Sequence, residues 1–215
     1  PTDKIVELNF GNLKVFRQED TFTPRLLIGV DVSGSTGNIC QAGKGEFTET
    51  GGLMWEIASV ISSAGTEANT RQFAYHSTRH GFLTTIEVPN GMRPVCRCER
   101  FGNGSISKIP EHGGGTPELA MLHYLQDKAQ SGGDLSSTTA ILIVDGQPDE
   151  PKKCLEMSEE LVAAGMQFGV VVCGYDVYGP GNYYNASVAV NVQSRDDIDR
   201  AIPKLMSLIR ERGLA

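Results

Sequence analysis

Leu26-Leu27-Ile28-Gly29-Val30-Asp31-Val32-Ser33-Gly34-Ser35-Thr36-Gly37-Asn38 is the stretch on which the reading of this chain turns. Its first five residues form a continuous apolar run, the mark of a strand buried on both faces. It then becomes polar at Asp31, Ser33 and Ser35, with Gly34 and Gly37 between and after them. Packing alone gives no reason to end a buried strand on one carboxylate and two hydroxyls. All three are hard oxygen donors, with no sulfur or imidazole among them, a set that suits a small divalent cation such as magnesium or manganese.

Working outward, Ile5 to Phe10 and Leu13 to Phe16, joined at Gly11-Asn12, read as a short hairpin or an edge strand. Gly37 to Gly52 reads as a loop, and a helix is expected from Leu53 to Ala64 with Leu53, Ile57, Val60 and Ile61 on one face. Arg71 to His76 and Phe82 to Val88 read as strands, and residues 89–115, rich in glycine and proline, as an irregular insertion. Pro117 to Ala129 carries strong helix signals: Thr116 as N-cap, Pro117 at the first helical position, Glu118 in the first turn and Leu119, Leu122 and Leu125 as an apolar stripe. Thr139 to Val144 is a second continuous apolar strand, and it too ends on a carboxylate, Asp145. A helix over Pro151 to Ala164 stops at Gly165. Phe168 to Cys173 and Val188 to Val192 are further buried-type strands. The last helix starts near Ser194, presents Ile198, Ile202, Leu205 and Ile209 on one face, and is expected to kink or restart at Pro203. Strands alternating with amphipathic helices describe an α/β domain around a mostly parallel sheet.

The chain's 215 residues suffice for one domain with a sizeable core. A net charge of −7 argues against general nucleic-acid binding. No apolar run approaches the roughly 18–20 residues of a membrane span, and no basic-then-apolar signal opens the sequence, so no membrane association is expected. Five unevenly spread cysteines do not make a disulfide framework, and a reducing, cytoplasmic setting is expected.

Ligands of open parallel sheets gather beyond the carboxyl ends of the strands. Asp31, Ser33 and Ser35 follow one strand, Asp145 follows another, and Thr116 is a hydroxyl at a helix start. Two carboxylates brought together repel unless one is protonated or a cation lies between them. The segments Asp31-Val32-Ser33-Gly34-Ser35, Gly113-Gly114-Gly115-Thr116-Pro117 and Val144-Asp145-Gly146-Gln147-Pro148 resemble, in order and in strand context, the three parts of the metal-ion-dependent adhesion site of von Willebrand factor A (VWA) domains. The likeness covers roughly residues 24–212. It implies a Rossmann-like three-layer sandwich and a single domain over 1–215, with 1–23 as an N-terminal extension and 89–115 as an insertion. It further implies that Asp31, Ser33, Ser35, Thr116 and Asp145 hold Mg2+, or Mn2+ or Ca2+, directly or through water. One position would stay open for an Asp or Glu of a partner protein. Intracellular members of the family often act as adaptors or subunits, including those of AAA+ chelatase-type assemblies, so a non-catalytic interaction module with a possible AAA+ ATPase partner is implied. Thr36 stands where many relatives have Met, a departure expected not to touch the ligands.

Parts of the sequence also suggest two other functions. A metal-assisted phosphoryl-transfer enzyme also starts with Asp after the first strand, but it generally needs a second acid two residues on, where this chain has Ser33. RNA binding through the locally basic insertion (Arg93, Arg97, Arg100, Lys108) is the other. Cys96-Arg97-Cys98 with His76, His80 and His112 lacks zinc-knuckle spacing. No phosphate loop and no nucleophile elbow is present.

Overall fold

The computed structural model describes residues 4–10, 13–19, 26–33, 35–36, 49–66, 68–77, 83–91, 117–131, 134–174 and 179–211. Strands β1 (Lys4–Phe10) and β2 (Leu13–Glu19) pair antiparallel as a separate two-stranded sheet, as the sequence led one to expect. Among the described residues the central sheet has six strands: β3 (Leu26–Asp31), β4 (Thr70–Ser77), β5 (Leu83–Val88), β6 (Thr139–Val144), β7 (Gln167–Cys173) and β8 (Val188–Val192). They lie in the order β5-β4-β3-β6-β7-β8, all parallel except β5, which runs antiparallel to β4.

Four helices cover this sheet among the described residues: α1 (Glu49–Ala64), α2 (Glu118–Ser131), α3 (Pro151–Ala163) and α4 (Arg195–Glu211). The core divides into two layers, one on each side of the sheet. Leu26, Ile28 and Val30 of β3 pack with α1 residues such as Trp55, Ile57 and Ile61 and with α4 residues Leu205 and Ile209. Leu27 of β3, Tyr75 of β4 and Leu142 of β6 pack instead with Met121 and Leu125 of α2 and Leu161 of α3. The split follows from the two-residue side-chain period of a strand, and helices on both faces explain why β3 and β6 read as unbroken apolar runs. Each fully buried large apolar side chain adds about 1.5–3 kcal/mol of transfer free energy.

Several sequence expectations need correction. Helix α1 begins at Glu49, so Thr50, Gly51 and Gly52 are helical and not loop. Val60 is 43% exposed, and Met54, Trp55 and Ala58 take its place in the core. At roughly 100° per residue, Val60 lies about 120° from the middle of the buried arc that runs from Leu53 through Ile57, Ile61, Met54 and Ala58 to Trp55. Helix α2 starts at Glu118, with Pro117 just outside it lending its carbonyl to the amide of Met121 at 2.9 Å. Helix α4 runs unbroken through Pro203 and does not restart. Pro203 and Asp199 are both exposed, so the Asp199 carbonyl that loses its intrahelical donor faces water.

Helix α3 ends as expected. Gly165 adopts φ +94°, its amide bonds the Val162 carbonyl at 2.9 Å, and the Met166 amide reaches the Leu161 carbonyl at 3.1 Å. This double bond pattern satisfies the last carbonyls of the helix and turns the chain straight into β7.

Candidate metal centre

The chain leaves β3 for β4 on one side and later returns to lay β6 on the other. The carboxyl ends of β3 and β6 therefore flank the point where the strand order reverses, the usual ligand crevice of open α/β sheets. Val30 pairs with Ile143, so Asp31 stands level with Val144, and Asp145 lies one residue further along the adjacent strand. On the other side Asp31 pairs with Tyr75. By strand alternation Asp31 shares a face with Leu27 and Gly29, the face covered by α2 and α3. A methyl group on Gly29 would come within 2.8 Å of the end of the Met121 side chain, so glycine allows α2 to lie close over this part of β3.

Asp31 is 1% exposed. Its Oδ1 accepts a 2.7 Å hydrogen bond from the backbone amide of Ser33, and its Oδ2 accepts one of 2.9 Å from the Ser33 hydroxyl. The hydroxyls of Ser33 and Ser35 lie 3.1 Å apart. Ser33 is buried and Ser35 exposed, so the pair runs from the interior to the surface. Burial pushes the Asp31 carboxyl up to about 8, helped by the negative charge of Asp145 and opposed by the two Ser33 hydrogen bonds. Asp145 itself is partly exposed.

Of the five residues singled out in the sequence, the structure thus brings four to one sheet edge: Asp31, Ser33, Ser35 and Asp145. Thr116 lies outside the described residues, as do Gly113, Gly114 and Gly115. Cys96, Cys98, His80, His112 and the basic residues of the insertion also lie outside them. His76 is buried in β4 with its Nδ1 2.8 Å from the Ser77 carbonyl oxygen.

One expectation about the loop is overturned. Thr36 does touch the site, since its hydroxyl donates to the carbonyl of Ser33 at 2.9 Å, and its amide approaches the same oxygen at 3.2 Å. A methionine could not make the first of these bonds. Thr36 is 2% exposed, so the bond is shielded from water.

Glu118 is the site neighbour that sequence reading missed. Its place in the first turn of a helix suggests a solvated charge, yet it is 1% exposed and neither carboxylate oxygen has a hydrogen-bond partner among the described residues. Burial raises its carboxyl well above the usual range, with Asp31 the foremost charge adding to that effect. A signal was available: Glu118, Leu122, Leu125 and Ala129 recur at four, three and four residues, which puts Glu118 on the buried stripe of α2.

The donor set fits a hard divalent cation. A buried carboxylate facing a second carboxylate, with two hydroxyls alongside, is stabilised by a positive charge, and oxygen donors select magnesium- or manganese-type ions over soft metals. Among the described residues no group of three or more His, Cys, Asp or Glu side chains could hold a metal, so hydroxyls would be required as ligands.

Six strands in this order, helices on both faces and a hydroxyl-carboxylate loop at the switch point define the architecture. The fold is VWA-like. Solved structures share it at low sequence identity. Proximal thread matrix protein 1 from the mussel byssus superposes with a TM-score of 0.56 at 14% identity, over 86% of this chain and 47% of that one. A further structure of the byssus protein, described as having a zinc-occupied MIDAS motif, gives 0.51 at 15%, over 88% of this chain and 47% of that one. The manganese-loaded Plasmodium vivax TRAP protein gives 0.50 at 16%, over 89% and 74%. The VWA-like chain thus spans about half the length of the byssus protein. No protein-family model and no curated protein sequence matches it.

Proposed function

We propose that this VWA-like chain is a divalent-cation-dependent protein-binding module without catalysis of its own. In this reading Asp31, Ser33, Ser35, Thr116 and Asp145 hold Mg2+ or a similar ion, and a partner protein supplies an Asp or Glu to complete its coordination. A bound ion supplies residual positive charge that attracts an external carboxylate. The observation that carries the reading is the clamp on Asp31, whose two oxygens are engaged by the amide and hydroxyl of Ser33 while Asp145 faces it across the strand gap. That arrangement leaves the buried carboxylate oriented and electrostatically uncompensated, a state that a cation relieves.

The likeness to a protein with a zinc-occupied MIDAS motif and to a manganese-loaded protein supports a divalent ion in general. A role as adaptor or subunit of a larger assembly, possibly with an AAA+ ATPase, belongs to the same proposal. So does the division into one VWA-like domain over 1–215, with 1–23 as an extension and 89–115 as an insertion; the separate β1–β2 sheet supports the first of these. A reducing, cytoplasmic setting is in keeping with Cys154 and Cys173, which are free and buried. No helix among the described residues is long and apolar enough to cross a membrane.

Affinity capture from a lysate with magnesium, with chelator, and with an Asp31→Ala variant tests the proposal. The expected result is a protein captured only by the wild type and only with magnesium. Capture that is indifferent to chelator and variant would overturn the metal-dependent reading.

A further inference from the structure

Glu118 opens α2, and among the described residues both of its oxygens are buried without a hydrogen-bond partner. Two hydroxyls nearby are in the same condition. Tyr75, the registered neighbour of Asp31 on β4, is fully buried, Tyr184 is 1% exposed, and neither phenol oxygen has a partner among the described residues. The three groups are electrostatic neighbours: Glu118 is the foremost charge acting on each tyrosine, and Asp31 acts on all three. Two O–H donors and one double acceptor are complementary in bonding capacity, yet they do not bond to one another. Buried polar groups left in this state are costly, and bridging waters or an ion are the usual remedy.

We propose that Glu118 is a third carboxylate of the divalent-cation site, acting through ion-bound water together with the hydroxyls of Tyr75 and Tyr184. The proposal rests on the reading of Asp31, Ser33, Ser35, Thr116 and Asp145 as that site, and it specifies the ion's second layer. Direct ligation by Glu118 does not fit, because Asp31, Asp145 and Glu118 do not converge as a chelating group among the described residues. A position one water removed does fit. Groups in that layer orient the inner ligands and tune the metal. Held one water away, Glu118 adds a screened negative charge that helps retain the cation before a partner arrives, and it leaves the ion itself as the positive point that a partner carboxylate meets. The class of ion favoured is one that keeps several of its waters, as magnesium does, over one that sheds them for protein ligands.

The test is a manganese titration of the full chain, followed by calorimetry, for the wild type and for Asp31→Ala, Glu118→Gln and Tyr75→Phe, with melting temperatures recorded in chelator. Asp31→Ala is expected to abolish binding. Glu118→Gln is expected to weaken it by about 10–100-fold, the usual loss when an outer-layer partner is removed. Its melting temperature in chelator should be no lower than wild type, because the substitution removes an uncompensated carboxyl. A variant that was merely misfolded would lose both affinity and melting temperature. Should Glu118→Gln fail to fold, Tyr75→Phe decides: weakened manganese binding supports the proposal, and wild-type binding overturns it. Wild-type affinity in a folded Glu118→Gln, with binding lost in Asp31→Ala, removes Glu118 from the site and leaves the ion site standing. A wild-type chain that binds no manganese overturns both.

Discussion

The hydroxyl of Ser33 donates to Asp31 Oδ2 at 2.9 Å while the amide of the same residue donates to Oδ1 at 2.7 Å. One residue thus occupies both oxygens of a carboxylate two positions before it. A side chain folded back onto the amide two residues on is a local turn that Asp forms readily. Here it fixes the carboxylate at the end of β3 and, through the 3.1 Å approach of the serine hydroxyls, sets Ser35 beside it. Geometry of this kind is made by the loop itself, before any ion is bound.

Replacing the Asp31 carboxylate by its amide should separate stability from ion binding. Asp31→Asn keeps the shape, still accepts one Ser33 bond, and ends the repulsion from Asp145. In chelator the variant should melt as high as the wild type or a few degrees higher, taking about 2–4 °C per kcal/mol for a chain of this size. The wild type should gain stability with magnesium, about 2.7 kcal/mol when the free ion is at 100 times its dissociation constant, and Asp31→Asn should gain none. Scanning calorimetry with and without magnesium checks both parts.

Metal-free stability should fall as pH rises across the neutral range. Asp31 moves from an ordinary 3.8 to about 8 on folding, so the folded chain holds the proton more tightly than the unfolded one. The resulting stability is whole below about pH 4 and is progressively lost as pH climbs through about 8. An ion competes with that proton, so the magnesium-induced rise in melting temperature should be small at pH 5 and large at pH 8.5. A magnesium shift that shrinks with rising pH would contradict this coupling.

Thr36 holds the Ser33 carbonyl through its buried hydroxyl, and Thr36→Val removes that bond while keeping the shape. A buried neutral hydrogen bond is worth about 0.5–1.5 kcal/mol net, and denaturant titration of the metal-free chain should show a loss of that size. Manganese affinity should fall several-fold in the same variant, because the carbonyl positions the residue that clamps Asp31.

Far from the site, Gly165 tests the helix stop. At φ +94° an alanine is strained, and its methyl would lie 3.0 Å from Ser136 Cβ. Gly165→Ala should cost about 1–2 kcal/mol in urea unfolding, the scale of the left-handed penalty, and leave ion binding untouched.

Most of the fold was legible in the chain. The apolar runs at 26–30 and 139–144 gave two central strands, and Gly165 gave a helix end, because each signal depends only on neighbouring residues. Helix α1 was less legible at its start, since Gly51 and Gly52 resemble a loop locally yet lie in the first turn of the helix, with Gly51 buried. The candidate site was legible as residue types at strand ends. Glu118 was not recognised, because the position of an acid in a first turn usually means solvent, and only the packing of α2 against the sheet reverses that.

Sequence by itself determined which chemistry is available: oxygen donors at the ends of two buried strands, with no soft ligands among them. Alternation along β3 also settled that Asp31 and Leu27 share a face. Tertiary structure alone decided that β3 and β6 are neighbours with Asp145 one step beyond Asp31, because strand order depends on which crossovers the chain takes and not on any local pattern. It alone decided that Glu118, Tyr75 and Tyr184 are all buried, the two tyrosines within the core layer that α2 and α3 cover. Burial is a property of what lies opposite a side chain, and the residues lying opposite these three come from strands and helices far apart in the chain.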